Sequence, residues 1–411
     1  MFTSNQYGPH AAGTALAMLC AAALLVPLAG CGTTTADADE GSRYSAVAIV
    51  AADTITNPAP RLTDGEERTV KDVMLSAGTD AVMLVSAGGE PAVVHPDFVE
   101  FDPSEGNPTG NNVRAKSNML ELGDAMASMH AKTAEQNTFE AVAMAADFLR
   151  ARADGTRPGL LLIHSNGMDS VGQMDMTKWL ATGDPDEVAT AVGKANPGLS
   201  LDGVAVRMTG IGYVADDAPS GQHRPTAAVR TLLEQVWTRT LQAFKPSDVA
   251  MDRTPLSGGH AKGATKQVTP VALPSATVTC EEQRVDYTLP SALLFEPDSA
   301  TPTAAAKDEL AEPARILTDA PDATATIVGH VYASPGDTEE QYQSMSQARA
   351  QAIADLLVRD YGVDASRTIV RGVGASQPAN ADDPSAPSNP EADRRVELSI
   401  SGAGNVSCTI G

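Results

Sequence analysis

Between Arg43 and Phe244 the apolar residues fall into short strand-like runs alternating with longer helix-like ones. Runs rich in Val, Leu and Ile predict β-strands at Ser45–Ala52, Asp80–Ser86, Pro91–His95, Gly159–Ser165 and Gly203–Gly210. Helices are expected at Asp64–Leu75, Lys116–Lys132, Thr138–Arg152, Pro185–Lys194 and Thr226–Phe244. Only Ala87-Gly88-Gly89-Glu90 separates the second and third strands, which reads as a hairpin. The other strands are joined through helices, so the pattern predicts a mostly parallel three-layer α/β sheet with one antiparallel member. From Pro246 to Pro274 periodicity disappears into Pro, Gly, Ser, Thr and Lys, and this stretch is expected to be a flexible linker.

A second patterned region follows and reads β-α-β-α-β-β. Arg284–Phe295 opens it, broken at Pro290, and Thr303–Leu317 is helical with a kink expected at Pro313. Thr324–Val331 and Thr368–Val373 are strands on either side of a helix, Gln343–Val358, whose Met345, Ala352, Ile353, Leu356 and Leu357 form an apolar stripe. Arg395–Ile400 alternates, with Val396, Leu398 and Ile400 on one face. The organisation expected is 1–30 leader, 31–42 tether, 43–245 first domain, 246–276 linker and 277–411 second domain.

Composition narrows the function. The 411 residues carry a formal charge of −23, with no basic cluster of the kind phosphate backbones require, so a nucleic-acid partner is not expected. Aromatics are 4% of the chain, leaving the cores to Ala, Val, Leu, Ile and Met. The apolar run Ala15–Leu28 is short for a membrane span and has the length of a secretory leader. It ends in Leu28-Ala29-Gly30-Cys31, which looks like a lipobox with Cys31 as the acylated residue, although Met1–Gly13 holds no Lys or Arg. Lipidation would hold the protein on the extracytoplasmic face of a membrane. Cys280 and Cys408 then bracket the second domain, and export favours a disulfide between them.

No G-x-S-x-G elbow, H-E-x-x-H pair, C-x-x-C or Walker loop occurs, so no catalytic residue or cofactor is assigned and an enzyme is not expected. His164-Ser165, at a predicted strand end, is the one weak pointer to a hydrolase.

Five segments of the second domain resemble the OmpA-like, peptidoglycan-associating family. They are Leu294-Phe295 with Ser299-Ala300, Gly329-His330, Ser346-Gln347-Ala348-Arg349-Ala350, Gly372-Val373-Gly374 with Gln377-Pro378, and Asp393-Arg394-Arg395-Val396. The resemblance implies an α+β fold that grips the diaminopimelate of a peptidoglycan stem peptide. An Asp two residues after the Gly-His takes its ammonium, and the Arg at the position of Arg349 takes its carboxylate. In this chain that Asp is replaced by Tyr332, and Tyr342 stands where the family has Asn. Asp337 is the expected substitute carboxylate, Arg394 a further contact, one of Arg394 and Arg395 a structural anchor, and His330 a packing residue. The first domain resembles a von Willebrand factor A-type or Rossmann-like sheet, through Leu160-Leu161-Leu162-Ile163-His164-Ser165-Asn166-Gly167. The family's oxygen ligands are largely missing from Asp53–Asn57 and at Asn166, so no metal is expected, and Thr138 is expected to cap its helix. The function expected is an envelope lipoprotein tethered to peptidoglycan. The alternative is a partner-binding or sensing module in which wall contact is vestigial and the first domain holds an unidentified protein.

Overall fold

A computed structural model describes residues 42–105, 107–180, 184–334, 336–381 and 389–403. Cys31, Cys408 and the Ala15–Leu28 run lie outside these residues, and no described helix is long and apolar enough to cross a membrane.

The first domain runs β1 (Val47–Ala51), α1 (Asp64–Ala77), β2 (Val82–Ser86), β3 (Ala92–Val94), α2 (Pro108–Ser128), α3 (Thr138–Ala151), β4 (Gly159–His164), α4 (Met176–Trp179), α5 (Pro185–Ala195), β5 (Val204–Thr209), α6 (Ala227–Gln242) and β6 (Asp248–Asp252). The sheet order is β3-β2-β1-β4-β5-β6, parallel except for the β2–β3 hairpin. Every residue of β1 and β4 is buried, so both sheet faces are covered and these strands read as continuous apolar runs rather than alternating ones. Chain order reverses between β1 and β4, which makes their carboxyl ends the topological switch point.

Two expectations are corrected here. Helix α2 begins at Pro108 rather than Lys116, because Asn107 caps it and Pro at the first position starts it. Residues 246–276 are not a free spacer. Asp248–Asp252 form the sixth strand, and Ala261, Ala264 and Val268 bury against Ile55. Backbone bonds from Ala59 to Gly259 and from Glu135 to Gln267, each 3.0 Å, hold the rest along the first domain.

The second domain comprises β7 (Thr277–Glu281), β8 (Arg284–Pro290), α7 (Ser291–Leu294), α8 (Ala306–Asp319), β9 (Thr324–Gly329), α9 (Glu339–Tyr361), β10 (Thr368–Gly372), α10 (Pro390–Asp393) and β11 (Arg395–Ser401). Its sheet order is β10-β9-β11-β8-β7, with β9 and β10 parallel and the other pairs antiparallel. Burial alternates along β8 and β9, as in a sheet covered on one face. That face packs Tyr287, Ile327 and Leu398 against Leu310, Ala314, Ile353 and Leu357 of α8 and α9. Helix α8 continues through Pro313. Cys280 lies on β7 opposite Val285.

The two domains touch. Leu293 and Ala305 join the apolar core of the first domain. Thr226 Oγ1 is 3.4 Å from Glu309 Oε1, and Gln235 Nε2 donates to Glu296 Oε2 at 2.7 Å.

Candidate functional site

Strand β9 ends at Gly329, and α9 begins nine residues after His330, capped by Thr338 and Gln341 in a reciprocal box. The intervening loop and the α7–α8 connection form two sides of a groove of about 630 Å³. Asp298, Tyr332, Asp337, Tyr342, Arg349 and Arg394 line it, so all three residues proposed from the sequence as wall-binding meet there.

Arg349 sits on the buried side of α9 and is only 7% exposed. Its Nε donates to the Ser299 carbonyl at 3.0 Å, and its guanidinium carbon lies 5.4 Å from the centroid of the Phe295 ring. No carboxylate lies within 4.0 Å of it among the described residues. Burial, then the neighbouring Arg394, lowers its pKa to about 10. It stays charged at neutral pH, but its cation is held in a place that disfavours cations.

Arg394 faces the same groove. Its guanidinium carbon is 5.3 Å from the Tyr332 ring centroid, and Nη2 lies 3.5 Å from Asp184 and 3.7 Å from Glu187, both on α5 or its cap. Arg395 points elsewhere, to Glu397 at 2.8 Å and the Gln377 carbonyl at 3.3 Å, which is an anchoring role. His330 is 1% exposed, with Nδ1 3.3 Å from the Gln377 carbonyl and Nε2 3.4 Å from Glu397 but off hydrogen-bond alignment.

Asp337 is exposed on the groove rim, and its carboxylate makes no hydrogen bond among the described residues. Sequence reasoning missed Asp298, which also lines the groove. Its carboxyl is pushed up by burial and by Asp184 and Asp186, and pulled down less by Arg394 and Arg349. Asp298 has φ +48°, a left-handed turn that Asp tolerates better than most residues. The adjacent Ser-Ala of the opening motif was the available signal. Tyr342, in the place of the family Asn, donates its hydroxyl to the Ser334 carbonyl at 2.5 Å and closes the loop on itself.

Three residues before Arg394, burial pushes Glu391 of α10 up to about 7. A carboxyl raised in the folded state stabilises below its unfolded value of 4.5 and loses that contribution as pH rises through about 7. Glu391→Gln is therefore expected to raise the melting midpoint by about 2 °C at pH 8 and to leave it unchanged at pH 4, in thermal scans.

At the first domain's switch point, beside a cavity of about 630 Å³ lined by Asn57, His164, Ser165 and Asn166, buried polar side chains satisfy one another. Gln136 Oε1 accepts from Asn57 Nδ2 at 2.6 Å and Thr54 Oγ1 at 3.2 Å, which fixes the amide's orientation. Its Nε2 then faces Asn166 Oδ1 at 3.0 Å, Asp169 Oδ1 at 3.1 Å, Ser165 Oγ at 3.2 Å and Thr138 Oγ1 at 3.3 Å. An amide thus occupies the centre of an oxygen cage that a cation would otherwise need. Thr138 belongs to this cage. The cap of α3 is Asn137, not Thr138 as expected. Ser165 bonds Thr138 at 2.9 Å, while His164 turns toward Glu66 at 3.3 Å, so no nucleophile–base pair forms between neighbours. Adding Mg²⁺ or Mn²⁺ is expected to give no EDTA-reversible shift of the melting midpoint.

Residues 294–392 match the family model of the OmpA family. Outer membrane protein Omp38 of Acinetobacter baumannii is 33% identical over 124 residues, covering 29% of this chain and 34% of the relative. The chain therefore spans about a third of the length of the curated relatives it matches. Among solved structures, the cell wall anchor of the T6SS from Pseudomonas aeruginosa is 26% identical, with a TM-score of 0.27 over 31% of this chain and 87% of that one. The OmpA-like domain of FopA1 from Francisella tularensis is 28% identical, with a TM-score of 0.25 over 31% and 79%. The peptidoglycan-associated lipoprotein from Burkholderia pseudomallei is 22% identical, with a TM-score of 0.23 over 28% and 88%. The C-terminal domain is OmpA-like.

Proposed function

We propose that this chain is a cell-envelope lipoprotein that binds peptidoglycan through its OmpA-like domain and performs no chemistry of its own. One observation carries the reading. Arg349 is a buried guanidinium on a groove wall, set near the Phe295 ring, with the Ser299 carbonyl as its one hydrogen-bond partner among the described residues and no described carboxylate within ion-pair distance. A buried charge left without its counter-ion is costly, and a ligand carboxylate supplies one in the bidentate geometry that guanidinium favours. Diaminopimelate of the stem peptide brings such a carboxylate beside an ammonium. Asp298 is the best-placed acceptor for that ammonium, with Asp337 at the rim, and together they stand in for the family Asp that Tyr332 replaces. The family match over 294–392 supports this assignment. Acylation of Cys31 would anchor the other end, and a Cys280–Cys408 disulfide would close the domain. The first domain is a degenerate von Willebrand A-like or Rossmann-like module for a protein partner.

Co-sedimentation of the full chain with purified sacculi tests the reading. Retention that free diaminopimelate competes away is the expected result. A chain that stays in the supernatant removes the wall-binding assignment. That outcome would favour the second reading, a partner-binding or sensing module, for which the replacement of the family Asp by Tyr332 already speaks.

A further inference from the structure

The groove is not built by the OmpA-like domain alone. Arg394 and Arg349 both line it, and they repel, which is one reason the Arg349 pKa is lowered. Two guanidiniums stay together only if something holds the second in place. The first domain contributes to that support. Asp184 caps α5, accepting from the backbone N–H of Asp186 at 3.0 Å and of Glu187 at 3.1 Å through Oδ1. Its other oxygen lies 3.5 Å from Arg394 Nη2, and Glu187 Oε2 lies 3.7 Å from the same nitrogen. The Arg394 side chain is 17% exposed and Asp184 14%, so this contact is screened less than a surface pair. The Tyr332 ring forms the other side, 5.3 Å from the guanidinium carbon. A small cavity lined by Asp184, Pro185, Leu232, Asp298, Arg349 and Arg394 continues the groove into the domain junction.

Resting on the wall-binding reading above, we infer that Asp184 and Glu187 of the first domain are positioning residues for the wall groove. They hold Arg394 over Tyr332 so that a ligand carboxylate is bracketed by two guanidiniums rather than one. Domain docking and ligand grip are then one property. The docked first domain presets Arg394, and a first domain displaced by a partner would release it. This assigns Tyr332 a use as well. Where the family has a carboxylate for an ammonium, this chain has an aromatic platform for a second cation.

Titration of the full chain with meso-diaminopimelate tests this. Asp184→Asn keeps a cap acceptor and Glu187→Gln keeps shape, so the double variant removes charge from Arg394 while sparing α5. The double variant is expected to bind about tenfold more weakly, with Arg394→Gln weakened equally. Combining all three is expected to be no worse than Arg394→Gln alone, because all act through one guanidinium, whereas a general loss of folding would add. A double variant that binds as wild type does, or more tightly, overturns the inference. Tighter binding would mean that the acids compete with the ligand for Arg394. Loss of binding in Arg349→Gln together with an unaffected double variant leaves wall binding standing and the inference defeated. A wild type that does not bind defeats both.

Discussion

Replacing Arg349 with glutamine is expected to abolish retention on sacculi and to weaken diaminopimelate binding about 100-fold, with no loss of thermal stability. The binding loss follows from removing a charge-assisted, two-pronged contact, worth about 2–3 kcal/mol. The preserved stability follows from the native surroundings of Arg349. Its only described hydrogen bond is to the Ser299 carbonyl, and burial opposes its charge, so folding gains little from it. Arg395 is the contrasting case. It is 8% exposed but holds Glu397, the Gln377 carbonyl and the Ala392 carbonyl. Arg395→Gln would unfold the domain more readily while leaving the groove's charge in place. Binding isotherms and thermal scans on the two variants separate the roles. An Arg349→Gln chain that melts far below wild type would place Arg349 among the anchors instead.

Gly329→Ala is expected to destabilise the OmpA-like domain by about 3 kcal/mol, and Gly372→Ala by a similar amount, in chemical denaturation. A Cβ on Gly329 would lie 2.1 Å from the Ser346 carbonyl oxygen, and one on Gly372 2.3 Å from the Gln347 backbone nitrogen. Both obstacles are helix backbone, so relief requires α9 to lift off β9 and β10. The glycines of the two strand-end motifs are thus packing devices, and they set Arg349, three residues after Ser346, at its distance from the sheet. Gly123 provides the control. It lies in α2, and a Cβ there would meet nothing within 4 Å, so Gly123→Ala is expected to stabilise by about 1 kcal/mol.

The strands and helices that were legible in the sequence are those whose burial has a simple period. Val396, Leu398 and Ile400 alternate, and they are the apolar residues buried in β11, beside Arg395. Strands β6 and β7 were not legible. Each is an edge strand with alternating half-buried and exposed residues, so Asp248–Asp252 and Thr277–Glu281 carry little hydrophobic signal. Arg349 and Arg394 were readable because they sit inside compact local motifs. Asp298 lies within the opening motif as well, but its importance comes from a turn that brings it to the groove. The Asp184–Arg394 contact was not readable either, because it joins residues of different domains and depends on how those domains dock. Gln136 was hidden for a related reason, as its amide replaces ligands that a motif search looks for one position at a time.

Under the proposed function, the buried Arg349 cation takes its counter-ion from the cell wall. The most direct test is calorimetric titration of the full chain with meso-diaminopimelate beside pentane-1,5-diamine, which keeps the two amines at their five-carbon spacing but lacks both carboxylates. Saturable binding of diaminopimelate and none of the diamine is the predicted result. Equal binding of the two would show that the groove reads ammonium groups alone and would contradict the role given to Arg349.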